Sequence, residues 1–137
     1  MKSGSHDSAL DSQTGLQGAL SFQPVRPLTM RDLLAWVLRR LERKRVRGNS
    51  MHPTLRAGQE VLIKPLKEPS PDTIRPGMVL YLQHPLNREI QIIKRCSHWE
   101  GTKLWVLGDN AAESTDSRQY GAIAPQFVLG SIVCTFP

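Results

Sequence analysis

The sequence has few cysteines and no long hydrophobic run. Cys96 and Cys134 are the two cysteines among 137 residues, too few for a disulfide framework and compatible with a reducing compartment. The longest apolar run covers residues 33–38, whereas a membrane-spanning helix needs about 20 such residues. The N-terminal residues also lack the apolar core of a secretory signal. We therefore expect a cytoplasmic protein without a transmembrane anchor.

The sequence also lacks clustered metal ligands. Neither cysteine has a histidine or a second cysteine at ligand spacing, and His6 stands alone among serine and aspartate. Structural and catalytic zinc sites require three or four such ligands. The sequence therefore predicts no bound metal and no cofactor.

Positive charge is in excess but is concentrated in one place. The net charge is +6, from 18 basic and 12 acidic residues, and residues 39–47 hold much of the excess. Such charge suits nucleic acid or an anionic surface, but no helix-turn-helix pattern accompanies it. We interpret the run as a solvated helix end, where cations complement the helix dipole, and expect no nucleic-acid partner.

The chain divides into three parts. Residues 1–28 are predicted to be a flexible polar tail, residues 29–45 an amphipathic helix, and residues 46–137 the main domain. Thr29 and Asp32 have the spacing of a capping box. The apolar stripe of this helix comprises Met30, Leu33, Leu34, Val37, Leu38 and Leu41. We expect the stripe to pack on the domain; the alternative is a helix lying on a membrane surface, with Trp36 at the interface.

Short strands follow the helix. Five runs at residues 60–64, 78–83, 89–96, 104–107 and 127–136 are rich in apolar and β-branched side chains and are separated by turn residues. Gly130 marks a possible bulge in the last run. This pattern predicts a mostly β domain, either an antiparallel sheet or a partly open barrel.

A turn between the helix and the first of these strands presents a serine. Gly48 and Pro53 flank Ser50 and favour a turn, and Met51 is an apolar side chain better suited to a core or a membrane than to a solvated loop. Such a serine is a nucleophile only if a base lies nearby; otherwise the segment is an ordinary surface turn that contains a serine.

Lys94 is the candidate base. Strand alternation places it on one face with Ile90 and Ile92. If that face is buried, desolvation lowers the lysine pKa, and a neutral amine can accept a proton from a serine. The alternative is a lysine whose ammonium reaches water from the end of the strand.

A long polar loop follows, at residues 108–121. It begins with the turn Gly108-Asp109-Asn110, and Asp116 and Arg118 are spaced to form an ion pair that fixes its shape. Short hydroxyl side chains between them can hydrogen-bond an amine. A solvated acidic loop is the alternative interpretation.

Together, residues 48–55, 92–95 and 108–121 resemble the ordered motifs of the type I signal peptidase family, which are serine–lysine endopeptidases on a β-rich fold. The resemblance implies the signal-peptidase/LexA-like antiparallel β fold with one N-terminal amphipathic helix, and it covers the chain from about residue 46 onward.

The resemblance also implies the roles of individual residues. Ser50 would be the nucleophile, Lys94 the general base, Ser114 the hydroxyl that orients the lysine, and Asp116 with Arg118 the ion pair that shapes the site. The backbone N–H of Ser50 would help to hold the oxyanion. Some members add a serine hydroxyl at the position of Gly48, which here offers only its backbone. The flanking residues Met51 and Pro53 would belong to the surface that binds an extended substrate.

The chain departs from membrane-bound members of the family. It has no spanning anchor before Ser50, and only a short segment separates Lys94 from Gly108. In this it is similar to the proteases that remove the N-terminal extension of the nickel superoxide dismutase precursor, which would make that precursor the substrate.

Three alternatives remain open at this point. One is a membrane-associated signal peptidase that uses the Trp36 helix. Another is a LexA-like self-cleaving regulator, although the only Ala-Gly bond, Ala57-Gly58, follows Ser50 instead of preceding it. The last is an inactive binding module.

Overall fold

The computed structural model of the protein describes residues 24–137, so the predicted tail at residues 1–28 lies mostly outside the described residues. The last residues of that tail differ from the prediction. The Thr135 N–H donates to Arg26 O at 3.0 Å, and Pro27 forms a parallel bridge with Thr135. The Arg26 side chain in turn donates to Asp32 at 2.5 and 2.8 Å. Residues 26 and 27 are therefore fixed against the C-terminal strand.

The fold is mostly β, as predicted. One helix, α1, precedes a six-stranded antiparallel sheet, and a second, single-turn helix, α2, lies late in the chain. The elements are α1 (Met30–Val37), β1 (Glu42–Arg45), β2 (Glu60–Pro65), β3 (Val79–His84), β4 (Asn87–Glu100), β5 (Lys103–Leu107), α2 (Ser117–Tyr120) and β6 (Val128–Phe136). Short 3-10 helices occupy Ala111–Glu113 and Pro125–Phe127.

The strands follow the spatial order β1-β2-β6-β3-β4-β5. The register of β6 against β3 shifts next to Gly130, where the bulge was expected. Strand β4 changes partner along its length: residues 87–95 pair with β3, and residues 95–100 pair with β5. The exchange occurs at Arg95, directly after Lys94, so the candidate base lies where one edge of β4 becomes free.

Apolar side chains pack on both faces of the sheet. One cluster includes Leu80, Leu82 and Cys96, and another includes Met51, Leu55 and Ile63. A smaller third cluster, which contains Leu62 and Cys134, lies beneath α1. The two cysteines are free thiols in different clusters.

Helix α1 is shorter than predicted. The capping box of Thr29 and Asp32 is present, but the helix ends at Val37, and residues 42–45 form β1 instead of its last turn. The end is a Schellman motif: Arg40 N–H donates to Ala35 O and Arg39 N–H to Trp36 O, both at 2.8 Å. Arg39 has φ +60°, and Arg43 beyond it is paired with Glu60 of β2.

The orientation of α1 also differs from the prediction. Trp36 and Ala35 pack towards Leu62 and Cys134, and the Trp36 ring lies edge-on to Phe136 at 5.1 Å. Most of the apolar stripe faces the opposite direction, because Met30, Leu34, Val37 and Leu38 are exposed; only Leu41, beyond the helix end, is buried. The expectation that this stripe packs on the domain was therefore wrong for the helix itself.

Within residues 24–137, no helix has the length and apolar character that crossing a bilayer requires.

Replacing Arg39 by glycine should stabilise the protein. A non-glycine residue in the left-handed region costs about 1–2 kcal/mol, a cost that glycine lacks. We expect R39G to raise the free energy of unfolding by about 1 kcal/mol in urea denaturation. The control is R40G, one residue on and without a positive φ, which should give no gain; equal stabilisation by both variants would contradict the strain at Arg39.

Candidate active site

The Ser50 turn is anchored by its apolar neighbours. Met51 and Leu55 are fully buried in the core, and Leu55 N–H donates to Met51 O at 2.9 Å while His52 N–H donates to Asn49 O at 3.1 Å. These contacts form a compact turn that leaves the Ser50 side chain partly accessible. The turn therefore holds the serine in a fixed position, because moving Met51 and Leu55 out of the core would expose apolar surface to water at a large cost in free energy.

Lys94 is buried although it carries an amine. Only 4% of the residue is exposed, and its Nζ donates to Ser114 Oγ at 3.1 Å. Burial lowers the pKa of Lys94 from its ordinary value; the negative charge of Asp116 opposes this shift and the positive charge of Arg118 adds to it. Lys94 is therefore desolvated, and its ammonium does not reach water from the end of the strand.

Asp116 is the centre of the hydrogen-bond network behind this lysine. Its fully buried carboxylate accepts from Ser114 Oγ at 2.6 Å, Gly108 N–H at 2.8 Å and Arg118 Nη2 at 2.6 Å. Burial alone would raise the pKa of Asp116, but the hydrogen bonds from Arg118, Ser114 and Gly108 outweigh it and hold the pKa well below its usual range. The carboxylate is therefore ionised at neutral pH.

The ionised state of Asp116 decides the direction of each hydrogen bond. A carboxylate can only accept, so the Ser114 hydroxyl must donate the hydrogen bond between them. The oxygen of Ser114 is then left to accept a hydrogen from Lys94. This arrangement points an N–H of the amine at Ser114 and leaves the lone pair of a neutral Lys94 free for another proton.

Gly108 brings the Ser50 turn against this network. A Cβ at residue 108 would lie 2.1 Å from Ser114 Oγ and 2.7 Å from the Ser50 carbonyl oxygen, distances that no side chain tolerates. Next to it, Asn110 N–H donates to the same Ser50 oxygen at 2.8 Å, and Asn110 Nδ2 donates to Asn49 O at 3.1 Å. Glycine at position 108 therefore lets the loop and the serine turn meet.

The Ser50 backbone and the Lys94 amine are linked through Gly108 and Ser114, because Gly108 lies against both the Ser50 carbonyl and the Ser114 hydroxyl that accepts from Lys94. The side chains of Ser50 and Lys94 are not hydrogen-bonded to each other in this structure, because the described bond of the amine is to Ser114. Catalytic hydrogen bonds are often long in an empty site and tighten when substrate binds.

A second buried ion pair, which the sequence interpretation missed, ties the same segments together. Arg95 donates to both oxygens of Asp109 at 2.9 and 2.8 Å, and both side chains are less than 5% exposed. Asp109 also accepts from Thr54 Oγ1 at 2.5 Å, and Arg95 donates to Gly77 O at 2.7 Å. The pair joins β4, the loop and the serine turn, so it positions Lys94 and Ser50 relative to each other.

A cleft of about 530 Å³ opens beside Ser50. Lys44, Arg45, Arg47 and Gly48 line one side, and residues 89–93 line the other, with Tyr81 also in the lining. Both sides are free strand edges: β1 is the outermost strand, and this part of β4 pairs only with β3 in the region described. Free edges offer main-chain donors and acceptors to an extended peptide.

The other residues predicted for the site have different positions. Gly48 lines the cleft and has φ +73°. Met51 is a core side chain, and Pro53 is exposed; neither lines this cleft. The Ala57-Gly58 bond, considered for self-cleavage, is held in a turn where Gly58 N–H donates to Val46 O at 2.8 Å, and it does not line the cleft either.

In the part of the chain that the structure describes, no three His, Cys, Asp or Glu side chains come close enough to hold a metal ion.

No protein-family model matches the chain, and a comparison with curated proteins found no significant relative.

Replacing Asp109 by asparagine should destabilise the protein strongly. The change removes the carboxylate that pairs with the buried Arg95 guanidinium, and breaking a buried pair typically costs 3–5 kcal/mol. We expect D109N to lower the free energy of unfolding by about 3 kcal/mol in urea denaturation. Glu60→Gln is the matched control, since it removes the surface carboxylate that pairs with Arg43 and Arg45 and such pairs contribute little. If both variants lowered the free energy of unfolding by similar amounts, the buried Arg95–Asp109 pair would contribute no more to stability than a surface pair.

Proposed function

We propose that the protein is a serine endopeptidase in which Ser50 is the nucleophile and Lys94 the general base. The observation that carries this proposal is the buried Lys94 amine, hydrogen-bonded to Ser114 beside the Ser50 turn. Desolvation lowers its pKa, as a lysine that acts as a base requires. The sequence resemblance to type I signal peptidases supports the same assignment.

The proposed acylation step begins with neutral Lys94. It takes the proton from Ser50 Oγ while that oxygen attacks the carbonyl carbon of the scissile bond. The negative charge that develops on the carbonyl oxygen is stabilised by backbone N–H of Ser50, next to the cleft-lining Gly48. The protonated lysine then delivers its proton to the leaving amine, which leaves an ester between Ser50 and the N-terminal part of the substrate.

Deacylation repeats these transfers with water. Neutral Lys94 accepts a proton from a water molecule, the resulting hydroxide attacks the ester, and the proton returns to Ser50 as its bond to carbon breaks. Ser114 and Asp116 do not transfer protons in this scheme. They hold one N–H of the amine, so that its lone pair faces the nucleophile.

The cleft suits an extended segment of a protein substrate. A strand laid between residues 44–48 and 89–93 would hydrogen-bond both free edges and bring its carbonyl to Ser50. The side chain of Tyr81 would contact the bound segment, while Met51 supports the turn from below.

The particular activity we propose is maturation of nickel superoxide dismutase, by removal of the N-terminal extension of its precursor in the cytoplasm. The support is the similarity to the short proteases of this type, in which, as between Lys94 and Gly108 here, only a short segment separates the lysine from the Gly-Asp-Asn turn. The two free, buried cysteines are compatible with a reducing compartment.

Incubating the protein with the dismutase precursor and measuring intact masses tests the proposal. Wild type should release the N-terminal extension, and Ser50→Ala and Lys94→Met should each reduce the rate by a factor on the order of 10⁴ or more, because both residues act in one proton transfer. Ser97→Ala is the control, as Ser97 lies on β4 outside the site and bonds to His98. Equal cleavage by Ser50→Ala and wild type, or none by wild type on any precursor, contradicts the proposal.

The pH dependence of kcat/KM should report the amine. Only neutral Lys94 is a base, so activity should rise with pH, with a midpoint below the ordinary lysine value of 10.5. The charge of Arg118 lowers the pKa of Lys94, so Arg118→Gln should move the midpoint to higher pH. Arg75→Gln, at an exposed site, should leave the midpoint unchanged. A midpoint unaffected by Arg118→Gln would argue against Lys94 as the titrating base.

A further inference from the structure

Helix α1 presents a large apolar surface that the described part of the domain does not cover. Met30, Leu34, Val37 and Leu38 are 79%, 59%, 63% and 56% exposed. At 100° per residue these four side chains fall on one arc of the helix. We call them the outer face of α1. Single exposed apolar residues are ordinary on protein surfaces, but a contiguous group marks a contact surface.

The orientation of α1 is fixed from its other side. Ala35 and Trp36 pack against the sheet, and Asp32 is buried in a two-pronged ion pair with Arg26. Burying a carboxylate with its partner holds the helix at that rotation, because turning it would expose Trp36 and break the pair. These contacts therefore hold the helix with its outer face directed away from the sheet.

Positive charge surrounds the outer face. Arg31, Arg39 and Arg40 are exposed, and within residues 24–137 no carboxylate lies within ion-pair distance of any of them. Asp32, the only acidic residue between positions 30 and 41, is already neutralised by Arg26. The four large apolar side chains of the outer face are thus flanked by three arginines that have no carboxylate partner among the described residues.

We propose that the outer face of α1 binds the surface of an anionic lipid bilayer. Apolar side chains flanked by arginines are the pattern of interfacial helices, in which the apolar residues enter the acyl boundary and the cations meet lipid phosphates. The charge pattern favours a lipid surface over a second copy of this chain, because two copies would bring six arginines together. The protein is then a peripheral membrane protein, which goes beyond the proposed peptidase activity and does not depend on it.

The size of the electrostatic contribution can be anticipated. One basic residue near an anionic membrane strengthens binding about 5-fold, so three arginines should favour anionic over neutral vesicles by about 100-fold at low salt. The preference should shrink as salt screens the charges.

Co-sedimentation with lipid vesicles tests the proposal, using the full chain. We expect binding to vesicles of phosphatidylcholine with phosphatidylglycerol, and about 100-fold weaker binding to phosphatidylcholine alone. Leu34→Ser with Val37→Ser should weaken binding at least 10-fold through lost apolar burial. Leu86→Ser is the matched control, because Leu86 is 76% exposed in the β3–β4 turn and its loss should have no effect.

Charge variants separate the electrostatic part. Arg31→Glu with Arg40→Glu should abolish the preference for anionic vesicles, whereas Arg75→Glu at an exposed site elsewhere should weaken it less than 3-fold. All these positions are exposed, so thermal melting curves should match wild type and exclude unfolding as the cause.

Several results would overturn the proposal. Absence of sedimentation with anionic vesicles, or equal sedimentation with neutral ones, would do so. Light scattering that finds a dimer, dissociated by the Leu34 and Val37 changes, would assign the face to a second copy instead. Because Ser50→Ala should bind vesicles as wild type does, the result is independent of whether the protein cleaves any precursor.

Discussion

The ionised carboxylate of Asp116 imposes the order that the rest of the site depends on. It is buried, and it accepts hydrogen bonds from the backbone of Gly108, the side chain of Arg118 and the hydroxyl of Ser114. Ser114 is consequently an acceptor for the lysine. Because an ionised carboxylate can only accept hydrogen bonds, Asp116 fixes the loop through Gly108 and Arg118 and fixes the orientation of the Ser114 hydroxyl. The orientation of Ser114 in turn determines the direction in which the amine of Lys94 can accept a proton.

Desolvation lowers the pKa of the Lys94 amine and the charge of Asp116 raises it. The balance between these two effects determines whether the amine can act as a base. An amine this close to a carboxylate would normally remain protonated, since a negative neighbour raises its pKa. Here burial is the largest effect on the pKa of Lys94, and the charge of Arg118 acts in the same direction, against that of Asp116. The ion pair of Asp116 and Arg118 therefore allows a carboxylate to orient Ser114 without fixing the proton on Lys94.

The sequence predicted the features that depend on local pattern. The mostly β fold followed from the spacing of apolar runs and turns. Strand alternation placed Lys94 on one face with Ile90 and Ile92, but Lys94 is buried while Ile90 is 48% exposed and Ile92 half-buried. The two isoleucines are therefore not what keeps the amine from water. The pairing of Arg95 with Asp109 was missed, because it joins residues on different elements, although a charged residue next to Lys94 in a half-buried strand was a signal for a partner. The helix end at Arg39 was missed because arginine rarely adopts a positive φ, and the outward direction of Leu34 was missed because periodicity identifies a face without identifying its neighbour.

The position of β1 at the open edge of the sheet has a consequence for the behaviour of the protein in concentrated solution. Unpaired strand edges invite intermolecular pairing, and natural proteins counter this with charged side chains along such edges. Val46 directs its main-chain groups towards the start of β2, so Arg45 and Arg47 direct theirs to the open side. Along this side Lys44, Arg45 and Arg47 are all exposed. Repulsion between these cations on neighbouring molecules should therefore disfavour edge-to-edge strand pairing and the growth of fibrils.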